Sequence, residues 1–258
     1  MNTADTGTPA SARRLEELSL NASGAFQSLL YDGWLLGYRP GPTKRLRCVN
    51  AFYASTLPLE RKVEHCVRFY ESIGLPAIFR MLPFSHPPEL DRWLECAGWE
   101  TFERTLVQYV RLDALPSIAA VAGKVSVLAM PEWHAASAVL LKVAPEALPG
   151  QIERSRSYPL PHAGAVLERD GEVVACGMLK LEGDHAGLFV INTAEEHRGQ
   201  GLGRAIVATL LGEAVRRGAL AAYLQVTANN AAAIAVYRHF GFVTAYDYWY
   251  RARPGELG

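Results

Sequence analysis

The order of elements read from the 258-residue sequence predicts an α/β (α+β) chain built as two domains. Half of the residues are apolar, ample for buried cores, and the length suits two domains better than one. Residues 114–258 read as strand, helix, three strands, helix, strand, helix, strand. The first half echoes that rhythm: IGLPAIFRML followed by LECAGWETFERTLVQYVRL parallels RRGALAAYLQV followed by YRHFGFVTAYDYWYRAR. Gly74 answers Gly218, and Gly98 with Trp99 answers Gly241 with Phe242. Two copies make a pair of domains, not a solenoid.

The elements follow in order. MNTADTGTPASARR lacks the apolar stretch of a signal peptide, so residues 1–13 are expected to be a disordered leader to a soluble, cytoplasmic protein. RRLEELSLNASGAFQSLLYDG suggests one or two short helices, with Leu15, Leu18 and Leu20 available to a core. GWLLGYR and RLRCVNAFYA read as strands joined by a turn at PGPTK. LPLERKVEHCVRFYESIG is a helix with Val63, Val67, Phe69 and Tyr70 on its apolar face, stopping at Gly74. PAIFRML is a strand, HPPELDRWLECAG a short helix and WETFERTLVQYVRL a long strand, closing a domain over 14–113. After the linker DALPSIAAVAG, KVSVLAMP starts a second domain over 114–258. PEWHAASAVLLKVAPEALPG supplies a helix and an irregular, proline-rich piece. HAGAVLERDGEVVACGMLKLEGDHAGLFVIN gives three strands, with Asp170-Gly171 a hairpin signal.

Charge and metal-binding residues narrow the function. The formal net charge is zero, so no whole-molecule field favours nucleic acid or an anionic membrane, and neither is expected as a partner. No apolar run approaches about 18 residues. Cys48, Cys66, Cys96 and Cys176 form neither a C-x-x-C pair nor a compact framework, which fits reduced thiols. The histidines lack the i, i+4 metal spacing, so no metal is expected.

The chain is organised around Leu188 to Gly203, LFVINTAEEHRGQGLG, where an apolar strand delivers a basic, glycine-rich loop to a helix start. Backbone N–H groups there can converge on one small anion, helped by the helix dipole. A Walker loop would need a terminal Lys and hydroxyl pair, and a Rossmann turn would need G-x-G-x-x-G; Gly199, Gly201 and Gly203 are spaced G-x-G-x-G. The remaining pattern is R-x-x-G-x-G, at Arg198, Gly201 and Gly203. Downstream, NNAAAIAVYRHFGF carries N-x-x-A-x-x-x-Y-x-x-x-G-F at Asn230, Ala233, Tyr237, Gly241 and Phe242. In these two motifs and their order the chain resembles the GNAT superfamily of acyl-CoA-dependent N-acyltransferases, over about its last 135 residues.

The resemblance implies two GNAT-like domains, each a mixed, mostly antiparallel sheet flanked by helices. In the first, ASTLPLERK replaces the glycine-rich loop and Pro58 removes a donor, so 14–113 is expected to be a degenerate copy that does not bind acyl-CoA. The resemblance further implies acetyl-CoA as cosubstrate, with Ile191, Asn192 and Thr193 along the pantetheine arm. The loop of Arg198, Gly199, Gln200, Gly201, Leu202, Gly203 and Arg204 would seat the pyrophosphate. Tyr237 stands where the family has the tyrosine that protonates the departing sulfur, although an amphipathic helix also buries tyrosines as packing. Asn230 would bond the cosubstrate, cap its helix, or both. Glu195, Glu196, Asp184 and His185 flank the strand as open choices for a general base. Trp133, Tyr158, Tyr248, Trp249 and Tyr250 either line an acceptor pocket or fill cores. The expected acceptor is a primary amine of a small molecule or peptide, with a catalytically silent acyl-CoA-binding regulatory module as the competing reading. The oligomeric state stays open, with a homodimer among the options.

Overall fold

The computed structural model describes residues 9–23, 27–39 and 43–256, which form two compact units. Unit 1 takes Met1–Val107, Thr227–Asn229 and Thr244–Gly258, and unit 2 takes Gln108–Val226 and Asn230–Val243. The architecture is mixed α/β with mostly antiparallel pairing.

Unit 1 holds α1 (Pro9–Ser23), β1 (Ser28–Tyr31), β2 (Trp34–Gly37), β3 (Val49–Ala51), α2 (Leu59–Ser72), β4 (Phe79–Met81) and α3 (Leu90–Cys96). It also holds most of β5 (Glu100–Arg111) and of β11 (Val243–Ala252). Its strands run β1-β2-β3-β4-β11-β5; β1 with β2, β2 with β3 and β4 with β11 pair antiparallel, and β3 with β4 parallel. The i, i+3, i+4, i+7 set Val63, Cys66, Val67 and Tyr70 turns one face of α2 into a core with Trp34, Phe79, Leu94 and Trp99. Each such side chain contributes roughly 1.5–3 kcal/mol by leaving water.

Unit 2 holds the end of β5, then β6 (Lys124–Leu128), α4 (Met130–Ser137), α5 (Leu148–Arg156), β7 (His162–Arg169), β8 (Glu172–Glu182) and β9 (His185–Thr193). It continues through α6 (Leu202–Arg216), β10 (Ala221–Thr227) as far as Val226, and α7 (Ala231–His239). The strand order is β5-β10-β9-β8-β7-β6, with β9 and β10 parallel. Helix α6 packs closely because Gly177 on β8 has no side chain: a Cβ there would lie 2.6 Å from Ile191 Cδ1 and 2.8 Å from Ile206 Cγ2.

Several expectations are corrected. The helix α1 begins at Pro9 and buries Ala12, so residues 9–13 of the expected leader are helical; residues 1–8 lie outside the described ones. One helix and a strand, not two helices, precede Asp32, because Ser28–Tyr31 pairs with Trp34–Gly37 across an Asp-Gly turn. The strand expected over RLRCVNAFYA shrinks to Val49–Ala51 behind a 3-10 turn, Lys44–Leu46. Part of the expected turn at PGPTK, residues 40–42, lies outside the described residues. The segment read as irregular contains α5, started by Pro149 in its first turn. The last strand, expected to close the second half, belongs to unit 1 from Thr244 onward and pairs with β4. Hydrophobic pattern reveals a strand but not which neighbour it joins.

Candidate active site

The strand that leads into the glycine-rich loop is deformed on both sides. Parallel pairing of β9 with β10 runs from His185 opposite Ala221 to Leu188 opposite Leu224 and ends there, although both strands continue. Against β8 the register shifts between Met178, opposite Phe189, and Cys176, opposite Asn192. Val190 lies inside this bulge at φ 53°, a left-handed conformation that a β-branched residue holds only when its surroundings impose it. Beyond Leu188 the β10-facing edge of β9 is therefore without a strand partner, and its main-chain groups there border a cleft.

That cleft has a volume of about 590 Å³. One wall is Ile191, Asn192 and Thr193; another is the loop and first turn of α6, with Arg198, Gly199, Gly201, Leu202, Gly203 and Arg204; the third is α7, with Asn230 and Tyr237. Gly199 and Gly201 take φ of 76° and 79°, which only glycine adopts freely. Gly201 is the residue before α6 and offers no capping side chain, and the first intrahelical bond is Ala205 N–H to Gly201 C=O at 3.1 Å. The amides of Leu202, Gly203 and Arg204 thus have no helical acceptor, which is the donor set an anion needs. At Gly203 a Cβ would meet only Thr193 Oγ1, at 3.7 Å, so its absence widens the approach along the helix start.

The second helix start is capped. Asn230 Oδ1 accepts the Ala233 N–H at 3.0 Å, so the cap expected from sequence is present and Asn230 also lines the cleft. Ala232, Ala233 and Ala235 keep this wall low; Ala233 is the alanine of the second motif, whereas Ala232 and Ala235 were not singled out in the sequence, although the run NNAAAIAVY carries the signal. His197 also lines the cleft and was likewise missed.

Tyr237 is 7% exposed and lines the cleft from α7. Burial pushes its phenol up to about 12, because the phenolate would lose solvation. It is therefore protonated at any physiological pH, and it lies in one cleft with the glycine-rich loop.

Other expected residues stand elsewhere. Gln200 is outside the lining among the described residues: its Oε1 accepts from Arg169 Nη1, and its Nε2 donates to Glu196 C=O at 3.4 Å. Asp184 and His185 pair with each other at 2.6 Å at the start of β9, away from this cleft. Glu195, with a side chain 86% exposed, faces Arg198 at 3.8 Å, and with Glu196 borders an adjoining cleft of about 780 Å³. None of the five aromatic residues considered for an acceptor pocket lines the cleft. Trp133 is buried with Nε1 donating to Ala165 C=O at 3.1 Å, while Tyr248 and Tyr250 belong to unit 1 and are 2% exposed. Cys48, Cys66 and Cys176 are buried free thiols and Cys96 an exposed one. Among the described residues no cluster of three or more His, Cys, Asp or Glu side chains could hold a metal ion, and no helix is long and apolar enough to cross a membrane.

Comparison with known proteins gives the cleft a context. Residues 130–242, which contain its whole lining, match the model of the Acetyltransferase (GNAT) family. The [ribosomal protein bS18]-alanine N-acetyltransferase of Escherichia coli K12 is 40% identical over 76 residues, 30% of this chain and 51% of that enzyme. The chain thus spans about half the length of that relative. An uncharacterized N-acetyltransferase of Bacillus subtilis, YobR, is 26% identical over 245 residues, 93% of this chain and 98% of that one. Among solved structures, a GCN5-related N-acetyltransferase from Kribbella flavida superposes with a TM-score of 0.68 at 18% identity, covering 93% of this chain and 95% of the other, a likeness of fold.

Proposed function

We propose, from the premise that this chain carries a GNAT-family acetyltransferase domain over residues 130–242, that it transfers the acetyl group of acetyl-CoA to a primary amine by direct attack. The observation that carries the reading is that both motifs border one cleft: uncapped amides at the start of α6 and the protonated phenol of Tyr237 on α7. The residues fit the cosubstrate. The amides of Leu202, Gly203 and Arg204 with the guanidinium groups of Arg198 and Arg204 suit a pyrophosphate. The unpaired edge of Ile191–Thr193 suits the amide-bearing pantetheine arm.

In the reaction the amine nitrogen adds to the thioester carbonyl, a C–N bond forms and the C–S bond breaks. Tyr237 gives its proton to the leaving sulfur, yielding the free thiol, and the amine loses a proton to solvent or a base. A main-chain N–H of the β9 edge is suited to the oxyanion of the tetrahedral intermediate. No carboxylate or imidazole is assigned as base.

The acceptor is a small-molecule or peptide amine. A peptide amine is supported by the E. coli relative, whose name gives an alanine of ribosomal protein bS18 as its acceptor. We assign catalysis to unit 2 and read residues 14–113 as a GNAT-like copy without a cofactor cradle, in a cytoplasmic protein. The chain is expected to need no metal, nucleic acid or membrane. The test is an amine panel with acetyl-CoA and free-thiol detection: thiol release that depends on amine supports the assignment, and thiol release unaffected by any amine refutes it.

A further inference from the structure

The two units share a local plan up to a point. In unit 1 the hairpin β1-β2 is followed by β3, a loop, α2 and a strand parallel to β3; in unit 2 the hairpin β7-β8 is followed by β9, a loop, α6 and a strand parallel to β9. Both hairpins turn through Asp-Gly with positive φ, 42° and 83° at Asp32 and Gly33, 51° and 84° at Asp170 and Gly171. The plan diverges at the aspartate.

Asp170 makes no hydrogen bond or ion pair among the described residues, and the loop before α6 borders an open cleft. Asp32 does the opposite. Its Oδ1 accepts from Thr56 N–H at 3.0 Å and Thr56 Oγ1 at 2.7 Å, and its Oδ2 accepts from Leu57 N–H at 2.9 Å and faces Lys62 Nζ at 3.3 Å. Thr56 N–H is shared with Oδ2 at 3.1 Å. Lys62 is fully buried, donates to Asp32 C=O at 2.6 Å and to Ser55 Oγ, and lies 3.9 Å from the Trp34 ring centroid. These donors hold the Asp32 carboxyl well below the usual carboxylate range, the Leu57 amide foremost, so an anion is permanently present. Two successive loop amides just before a 14-residue helix, a hydroxyl and a buried ammonium all converge on one carboxylate.

We propose that the Asp32 carboxylate is a built-in anion that closes the loop before α2, taking the amides three and two residues ahead of the helix, the places that Gly199 and Gln200 hold before α6, so that one chain takes one diphosphate-bearing cosubstrate and not two. The idea rests on the cofactor reading given above and adds the reason why the first copy is silent: its loop amides are occupied by the chain's own side chain. Loss of the glycines is then a consequence that needed no replacement, since a covalently tethered anion at high effective concentration excludes a free one.

The test uses the full chain saturated with CoA and labelled inorganic pyrophosphate in equilibrium dialysis, with circular dichroism to verify folding. Asp32→Gly removes the carboxylate while suiting the positive φ; Asp32→Asn removes the charge but leaves a side chain of the same shape in the seat. Wild type and Asp32→Asn should take no pyrophosphate, and Asp32→Gly should take one equivalent and regain thermal stability on its addition. Pyrophosphate uptake by the CoA-saturated wild type, or none by folded Asp32→Gly, overturns the proposal. Asp32→Ser is read by the same criteria where Asp32→Gly does not fold. Failure of the cofactor reading shows separately, as no CoA uptake by wild type in the first step, and pyrophosphate uptake by Asp32→Gly relative to wild type then still reports on unit 1.

Discussion

The Tyr237 ring meets Phe242 edge to face, with 5.9 Å between centroids and an interplanar angle of 62°. The contact ties the phenol-bearing side chain of α7 to the residue that follows the turn at Gly241, and so fixes the side of the helix from which the phenol borders the cleft. Removing only the hydroxyl should leave this packing intact. Tyr237→Phe is expected to lower kcat by about 10²- to 10³-fold, in the range for a lost general acid, with KM for acetyl-CoA within about twofold. Steady-state thiol release measures both, and an unchanged kcat removes Tyr237 from the chemistry.

The pH profile provides an independent check on the same group. Burial disfavours the phenolate and moves the phenol up to about 12, so no alkaline decline in kcat belonging to Tyr237 should appear below pH 10. The linkage has a definite sign: the folded pKa exceeds the unfolded value of about 10, so the stability from keeping the phenol protonated is complete below pH 10 and lost as pH rises through 12. Denaturant midpoints at pH 9 and 11 compared between wild type and Tyr237→Phe read that difference.

Gly201 combines φ 79° with a position on the cleft wall. In Gly201→Glu, backbone strain and a carboxylate facing the anion seat should together lower CoA affinity by about 10²-fold or more, equivalent to about 2.7 kcal/mol. Titration calorimetry measures the loss, and binding at wild-type affinity contradicts the assignment of the seat.

Asn230 holds the first turn of α7 through Ala233 N–H. Asn230→Ala should cost about 1 kcal/mol, a fall in Tm of about 2–4 °C for a chain of this size. Asn230→Ser restores the cap, so a rise in KM for acetyl-CoA that survives in the serine variant isolates a direct bond to the cosubstrate from the capping role.

Within unit 1, Arg80 is fully buried against Glu16, with Nη2 3.0 Å from Oε2, and Tyr246 Oη donates to the same carboxylate oxygen at 2.7 Å. Glu16→Ala leaves a buried guanidinium without its counter-charge and should destabilise by about 3–5 kcal/mol, whereas Glu16→Leu with Arg80→Met together should recover most of that loss. Urea unfolding of the three proteins decides the point.

The residues that meet at the cleft were legible in order but not in shape. R-x-x-G-x-G reports a loop that needs positive φ, and N-x-x-A-x-x-x-Y reports a capped helix with a phenol two turns on; both are local properties, written in neighbouring side chains. The bulge at Val190 was not legible, since valine ordinarily argues for regular strand. Nor was the Asp32-Gly33 hairpin taken up, although it carries the same dipeptide signal as Asp170-Gly171; the amphipathic run before it read as continuing helix.

From the amino acids alone came element types, the positive-φ glycine-rich loop, the candidate proton donor and the lack of glycines in the corresponding loop of the first half, because these depend on φ preference, capping and spacing over a few residues. Only the folded chain decided that β9 parts from β10 at Leu188, that the terminal strand pairs with β4, and that the Asp32 carboxylate meets the amides of Thr56 and Leu57. Each of these joins residues far apart in sequence. Such contacts are selected by competition among alternative pairings in the packed state, for which local pattern carries no preference.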